Sequence, residues 1–366
     1  MSEKASQAIK EKVRGVLEQY RISASAPCRI DMGGTLDISS LFYPMAHLRP
    51  CTFNIALDMR TRVSLHPWKP GLVRAESAGF SPAEYGLEDA PFDHPLGLMF
   101  AVASYFGIDG ILIRTDSASP PKSALGGSSS AAVALVAAYS ALLEATGNDY
   151  PSLDVIPVLA HGIEESIACV PCGMQDQLAA AYGGVNAWHW EQKAGRPGWR
   201  RRELLDRKET GRLNDRILVV YCGVPHESVD INGEWIRRFL AGKDRGEWLE
   251  ILDITKKFSD VFSRGDYESA IRYMNRETEI RRDITPRVVN ETGQELIEAA
   301  VAENCGARFS GAGGGGCIWA LGFAKDISGL RSKWSDVSAR RTGVRILEAG
   351  VDVEGVKSGL QKHWAM

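Results

Sequence analysis

Residues 120–132 read PPKSALGGSSSAA and run without a break into the apolar stretch VALVAAYSALLEA, residues 133–145. A helix start leaves several backbone N–H groups unpaired and carries partial positive charge. A Gly/Ser loop at that point lets the backbone wrap an anion, and phosphate is the natural guest. A tight turn with Ser caps would also use such residues, but two Gly and three Ser in succession exceed what capping requires. The loop is not a Walker A sequence, because no Gly-Lys-Ser/Thr follows at the required spacing, and it contains no GxGxxG.

Outward from this loop, strands and helices alternate. Residues 23–30 read as an extended segment ending in a turn at Gly33-Gly34, and residues 53–65 alternate apolar and polar with a period near two. The pattern predicts a helix over 96–106, a strand over 110–115, and helices over 155–168 and 175–182. Residues 185–190 and 199–205 read as a hairpin. Residues 216–222 (RILVVYC) read as a buried strand opening a second half. A helical pattern follows over 246–303, then two short strands around a glycine run within 308–321, and a last strand over 344–348. This order predicts an α+β fold with two mixed layers, divided into domains at 1–207 and 208–366.

The chain has 366 residues, with 43 Lys+Arg against 46 Asp+Glu and a formal net charge of -3. That length suits two or three domains, and the charge balance opposes a nucleic-acid or anionic-membrane partner. Arg200-Arg201-Arg202 reads as a solvated strand end. The first twenty residues lack the apolar core of a secretory signal, and the best apolar run, 131–143, falls short of a bilayer span. Seven Cys, an odd number, suggest reduced thiols in a cytoplasmic protein. Cys169 and Cys172 form an isolated CxxC with no second ligand pair for zinc.

Two further loops carry candidate chemistry. Ser310-Gly-Ala-Gly-Gly-Gly-Gly316 lies between apolar strand-like segments, where four consecutive Gly make sense if a ligand or another loop approaches the backbone closely. Glu164 precedes PCGMQDQ, residues 171–177, in which Asp176 opens a helix whose dipole favours the carboxylate. Phosphoryl transfer needs a carboxylate near the acceptor hydroxyl and cations around the oxygens that gain charge. Arg29 can supply a permanent positive charge, expected here to lower the Asp176 pKa.

These segments together resemble the GHMP small-molecule kinases, the family of galactokinase, homoserine kinase, mevalonate kinase and phosphomevalonate kinase. APCRIDMGGTLD (residues 26–37) is similar to its first motif, PPKSALGGSSSAA to its second and FSGAGGGGCIWAL (residues 309–321) to its third. PCGMQDQ most resembles galactokinase, whereas AAAYGGVNAW and SGAGGGG look more like the kinases of heptose phosphate or fucose. The resemblance implies a ribosomal-S5-like first domain and a ferredoxin-like second domain, with ATP and Mg²⁺ between them. It implies Asp176 as catalytic aspartate with Arg29 as its basic partner. Pro121, Ala124, Leu125, Gly126, Gly127, Ser128, Ser129 and Ser130 would bind ATP, and Ser128 and Glu164 the metal. Asp31, Asp37, Gly173, Gly313 and Gly314 would lie near the substrate. Ala124 replaces a usual Gly and Gly127 a usual Ser. Asp37 follows Arg29 by eight positions where the sugar kinases have nine, which makes Asp31 its rival.

The expected activity is transfer of the γ-phosphoryl of ATP to a hydroxyl of a sugar or sugar phosphate, by a monomer or homodimer. A catalytically silent nucleotide or sugar sensor, or a diphosphate-dependent decarboxylase of the same architecture, are the alternatives. His226, Glu227, Ser228 and Asp230 either reach the acceptor or open a helix.

Overall fold

The computed structural model describes residues 3–148, 151–169, 171–193, 196–225 and 231–362. The first half runs α1 (Glu3–Gln19), β1 (Tyr20–Met32), α2 (Ser39–Met45), β2 (Cys51–Pro67), β3 (Leu72–Ser77), β4 (Ala83–Gly86), α3 (Gly97–Phe106), β5 (Ile111–Ser117), α4 (Gly127–Ala145), α5 (Ile156–Ala168), α6 (Gln175–Tyr182), β6 (Val185–Lys193) and β7 (Arg196–Glu203). The second half runs α7 (Arg207–Leu213), β8 (Ile217–Cys222), α8 (Ile231–Leu240), α9 (Arg245–Phe262), α10 (Tyr267–Ile284), α11 (Glu291–Ala302), β9 (Gly306–Phe309), β10 (Cys317–Leu321), α12 (Ala324–Arg340), β11 (Val344–Leu347) and β12 (Lys357–Lys362).

Among the described residues, eight strands form one sheet in the order β12-β1-β2-β5-β3-β4, with β6 on the far part of β2 and β7 on β6. Its pairings are antiparallel except β3 with β5. The remaining four strands form an antiparallel sheet, β11-β8-β10-β9. The sequence of α4 is apolar around its whole circumference, as a helix buried on every side must be. Residues Ala132–Leu142 are buried in it, so the one described helix long and apolar enough for a bilayer is a core helix.

Burial along β1 and β2 explains where the site lies. Residues 20–25 of β1 alternate between buried and partly exposed, whereas residues 26–32 are buried on both faces. The reason is that the far ends of β1 and β2 enter the second half. Met32, Phe53 and Ile55 share a core cluster with Phe258, Phe309 and Trp319. Phe53 meets Phe258 and Phe262 edge-on, each with ring centroids 4.9 Å apart, an arrangement favoured by the ring quadrupoles.

Several expectations are corrected. The helix after the Gly/Ser loop begins at Gly127, so Ser128, Ser129 and Ser130 form its first turn instead of ending the loop. Residues 344–348 do not hold the last strand: β12 follows and pairs with β1. The second half therefore sends its final strand back across the division expected at residue 207. Strands β3 and β4 and helices α2, α7 and α12 are also additions to the sequence reading.

Candidate active site

Arg29 sits in the doubly buried part of β1 and is the point where three distant segments meet. Its Nε and Nη2 donate to Oδ1 and Oδ2 of Asp176, both at 2.7 Å. Its Nη1 donates to the Ala124 carbonyl at 2.7 Å and to Ser310 Oγ at 3.1 Å. Its backbone N–H donates to the Leu125 carbonyl at 3.0 Å. One planar fork thereby fixes the Gly/Ser loop, the start of α6 and the glycine run after β9, which a Lys ammonium could not do.

The loop itself is shaped for close approach. Gly126, the cap of α4, has φ 75°, and a Cβ there would lie 3.2 Å from Asp176 Oδ2. Ala124, in place of the usual Gly, nevertheless takes φ 60°. No side chain caps α4, whose first backbone bond runs from Ser130 N–H to the Gly126 carbonyl. The N–H groups of Gly127, Ser128 and Ser129 therefore have no intrahelical partner. A Cβ at Gly316 would lie 2.6 Å from the Ser123 carbonyl, so the third motif's backbone lies directly against the second motif's loop.

The eight residues expected at the nucleotide divide by exposure. Pro121 and Ser128 are exposed, and Ala124, Gly126 and Gly127 are half-buried. Leu125 points into the core. Ser130 is buried and donates to the Pro27 carbonyl at 2.8 Å, which makes its hydroxyl a strut between α4 and β1. Ser129 is buried and accepts from Gln177 Nε2 at 3.2 Å. Gln177 also donates to Glu164 Oε2 at 2.7 Å. Glu164, on α5, interacts in turn with the Ser128 and Ser129 hydroxyls; burial raises its carboxyl pKa and those hydrogen bonds oppose the rise. Ser128 and Glu164 are therefore brought together beside the open N-terminus of α4.

The acidic residues also separate. Burial pushes the Asp176 carboxyl above the ordinary carboxylate range, outweighing the opposing pull of Arg29; this corrects the expected net lowering. Asp31 is fully buried, accepts from Gly311 N–H at 2.7 Å and faces Arg308 at 3.5 Å, so it braces the glycine run. Asp37 is the carboxylate left with capacity: Oδ2 accepts from Gln175 N–H at 3.0 Å, while the buried Oδ1 has no partner. Gly173 lies directly over it, where a Cβ would fall 2.0 Å from Oδ2. A Cβ at Gly313 would meet Val288 and Phe309, and one at Gly314 would meet Ile231. The glycines that meet the pair and its loop are Gly311 and Gly316. Ser310, Gln175 and Gln177 were not singled out from the sequence, although all lie within or beside motifs that were.

Burial pushes the Asp37 carboxyl up to about 6 from 3.8. A raised carboxylate pKa means that the folded chain binds the proton more tightly, so stability falls as pH rises from about 4 to 6. Asp37→Asn is therefore expected to raise the unfolding free energy at pH 8 by about 3 kcal/mol, with the gain vanishing near pH 4. Urea titrations at the two pH values check this; equal stability of both chains at pH 8 would contradict it.

All seven cysteines are free thiols; Cys169 is exposed and Cys172 partly buried. Burial and the surrounding carboxylates push the Cys172 thiol well up, which suppresses the thiolate that redox or metal chemistry needs. His226, Glu227, Ser228 and Asp230 lie outside the described residues.

Residues 95–184 match the family model described as the GHMP kinases N terminal domain. Galactokinase of Lactococcus lactis complexed with galactose shares the fold with a TM-score of 0.71 at 17% identity, over 96% of this chain and 99% of that chain. A D-glycero-D-manno-heptose 1-phosphate kinase from Bacteroides thetaiotaomicron has a TM-score of 0.68 at 16% identity, over 92% and 98% respectively. Phosphomevalonate kinase of Streptococcus pneumoniae in complex with phosphomevalonate and AMPPNP has a TM-score of 0.67 at 14% identity, over 90% and 100%. Comparison with curated proteins gives no match. The fold is that of the two-domain small-molecule kinases. Residues 95–184 thus match the N-terminal domain of the GHMP kinases, and the chain shares the fold of those kinases over nearly its whole length.

Proposed function

We propose that the protein is an ATP- and Mg²⁺-dependent kinase that transfers the γ-phosphoryl of ATP to a hydroxyl of a sugar or sugar phosphate. The observation that carries this reading is the Arg29–Asp176 pair directly beside Gly126 at the uncapped start of α4. The N–H groups of Gly127 to Ser129 and the helix dipole would bind the triphosphate. Asp176 would accept the proton of the acceptor hydroxyl, since each carboxylate oxygen retains a lone pair beyond the one that Arg29 occupies. Its raised pKa makes it a stronger proton acceptor. Arg29 would hold the carboxylate's plane and stabilise charge that develops across the transferred group.

Ser128 and Glu164 offer a hydroxyl and a carboxylate, hard oxygen donors of the type that hold Mg²⁺ together with phosphate oxygens and water. Among the described residues no cluster of three or more ligating side chains occurs, in keeping with an ion that arrives on the nucleotide. Bound there, Mg²⁺ would offset charge between the β and γ phosphates. Glu164→Gln is expected to raise the Mg²⁺ concentration for half-maximal ADP release about tenfold. An unchanged Mg²⁺ dependence would remove Glu164 from this role.

A sugar acceptor is supported by the galactokinase-like PCGMQDQ segment and by the unpartnered Asp37 Oδ1, which would accept from a hydroxyl. The test is an ADP-release screen against free hexoses, 6-deoxyhexoses, heptoses and their phosphates, with the product located by phosphorus NMR. Acceptor-dependent ADP release is expected. Nucleotide binding without turnover on any acceptor would favour a sensor.

A further inference from the structure

Against the Gly34–Thr35 turn lies a cluster of charges that the mechanism above does not use. Glu277 and Arg281, one turn apart on α10, and Arg308 on β9 are all fully buried. Glu277 accepts from Arg281 Nε at 2.5 Å and from Arg308 Nε at 2.8 Å. Burial alone would raise the Glu277 pKa, but the two guanidiniums hold it down to about 2. The cluster is therefore ionised, and buried ions are costly unless paired. A well-packed apolar trio would fill the same volume without that penalty, which raises the question of what the unspent donors hold.

Arg281 Nη2 donates to the Gly34 carbonyl at 2.8 Å, and Nη1 reaches Thr35 Oγ1 at 3.4 Å. Its guanidinium lies over the rings of Trp235 and Trp248, 4.9 and 5.1 Å from their centroids, so its position is fixed from the second half of the chain. The turn it grips is strained. Thr35 has φ 79°, the left-handed region that a β-branched residue rarely enters. Asp37 follows two residues later, with Oδ1 free and Oδ2 anchored to the start of α6.

We infer that Arg281 is a positioning residue for the acceptor: it holds the Gly34–Thr35 turn in its left-handed conformation and so aims Asp37 at the acceptor hydroxyls. The assignment rests on the kinase reading for its consequence, but not for its geometry. Arg281 touches no nucleotide-binding residue named above, so its loss should act on the acceptor and spare ATP.

Arg281→Lys keeps a positive charge beside Glu277 but cannot bridge to the turn and stack on two indoles at once. The expected result is an acceptor KM raised about tenfold, the scale of one such strained residue, with the ATP KM unchanged. Thr35→Gly in the same background lets the turn adopt its φ without Arg281, and should return the acceptor KM to within about threefold of the original. A general loss of packing would not be rescued in this way. An unchanged acceptor KM in Arg281→Lys, or no recovery on adding Thr35→Gly, overturns the inference.

Hydrogen exchange supplies a readout that needs no acceptor. Residues 33–38 should exchange faster in Arg281→Lys while α4 keeps its protection; equal exchange in both chains overturns the inference. If the wild-type chain turns over no acceptor, the kinase reading fails, whereas the exchange comparison still decides the role of Arg281. Should Arg281→Lys not fold, Thr35→Gly alone decides: relief of strain raises the urea midpoint, and a lowered or unchanged midpoint contradicts the strain.

Discussion

Replacing Asp176 by Asn is expected to lower kcat about a thousandfold, the contribution of a positioned general base, while changing the KM for ATP little. Asn matches Asp in size, so the start of α6 and its bond to Asp37 are retained. What is lost is the proton acceptor beside the phosphate loop. The amide also presents an N–H group toward one arm of the Arg29 fork, where the carboxylate had accepted at 2.7 Å from each of two nitrogens. A second signature follows from the pKa direction. Burial raises the Asp176 carboxyl, so the wild-type rate should fall as pH drops through that raised value and the base becomes protonated. The Asn variant should lack this acid limb. Steady-state ADP release over a pH series measures both effects, and near-normal turnover with the true acceptor would reject Asp176 as the base.

Arg29→Met should have the largest effect on the fold. The Arg29 side chain is 5% exposed and its Asp176 partner 20%, so this is a substantially buried pair. Removing the cation strands the carboxylate, the Ala124 carbonyl and the Ser310 hydroxyl together. Breaking a buried pair from one side typically destabilises by about 3–5 kcal/mol. The three loops that Arg29 connects belong to both halves of the chain, so nucleotide affinity should fall with stability. Urea unfolding followed by tryptophan fluorescence measures the first, and nucleotide titration the second. A loss below about 1 kcal/mol, the range of a surface ion pair, would show that the fork is open to water.

Much of the fold could be read from the chain because its signals are local. The 53–65 alternation became β2, the Ala-rich run became α4, and the helix expected over 175–182 is α6. The Gly/Ser loop was legible because few other roles demand that composition. The return of β12 was not: KSGLQK is largely exposed and has no period-two pattern, and its partner β1 lies more than three hundred residues away. The pairing of Arg29 with Asp176 came from resemblance to a family, since residues 147 apart carry no periodicity that links them. For the same reason Arg281 and its grip on Thr35, 246 residues distant, left no mark in composition or spacing. Asp31 and Asp37 could not be ranked from the sequence because only burial and partners distinguish them.

The Gly/Ser loop and the glycine run are expected to close on one nucleotide beside the Arg29–Asp176 pair. Hydrogen exchange with and without AMPPNP and Mg²⁺ tests it most directly. Slower exchange over residues 120–131 and 309–317, with α12 unchanged, is the predicted result. Protection confined to other segments, or none over residues 120–131 at saturating nucleotide, would contradict it.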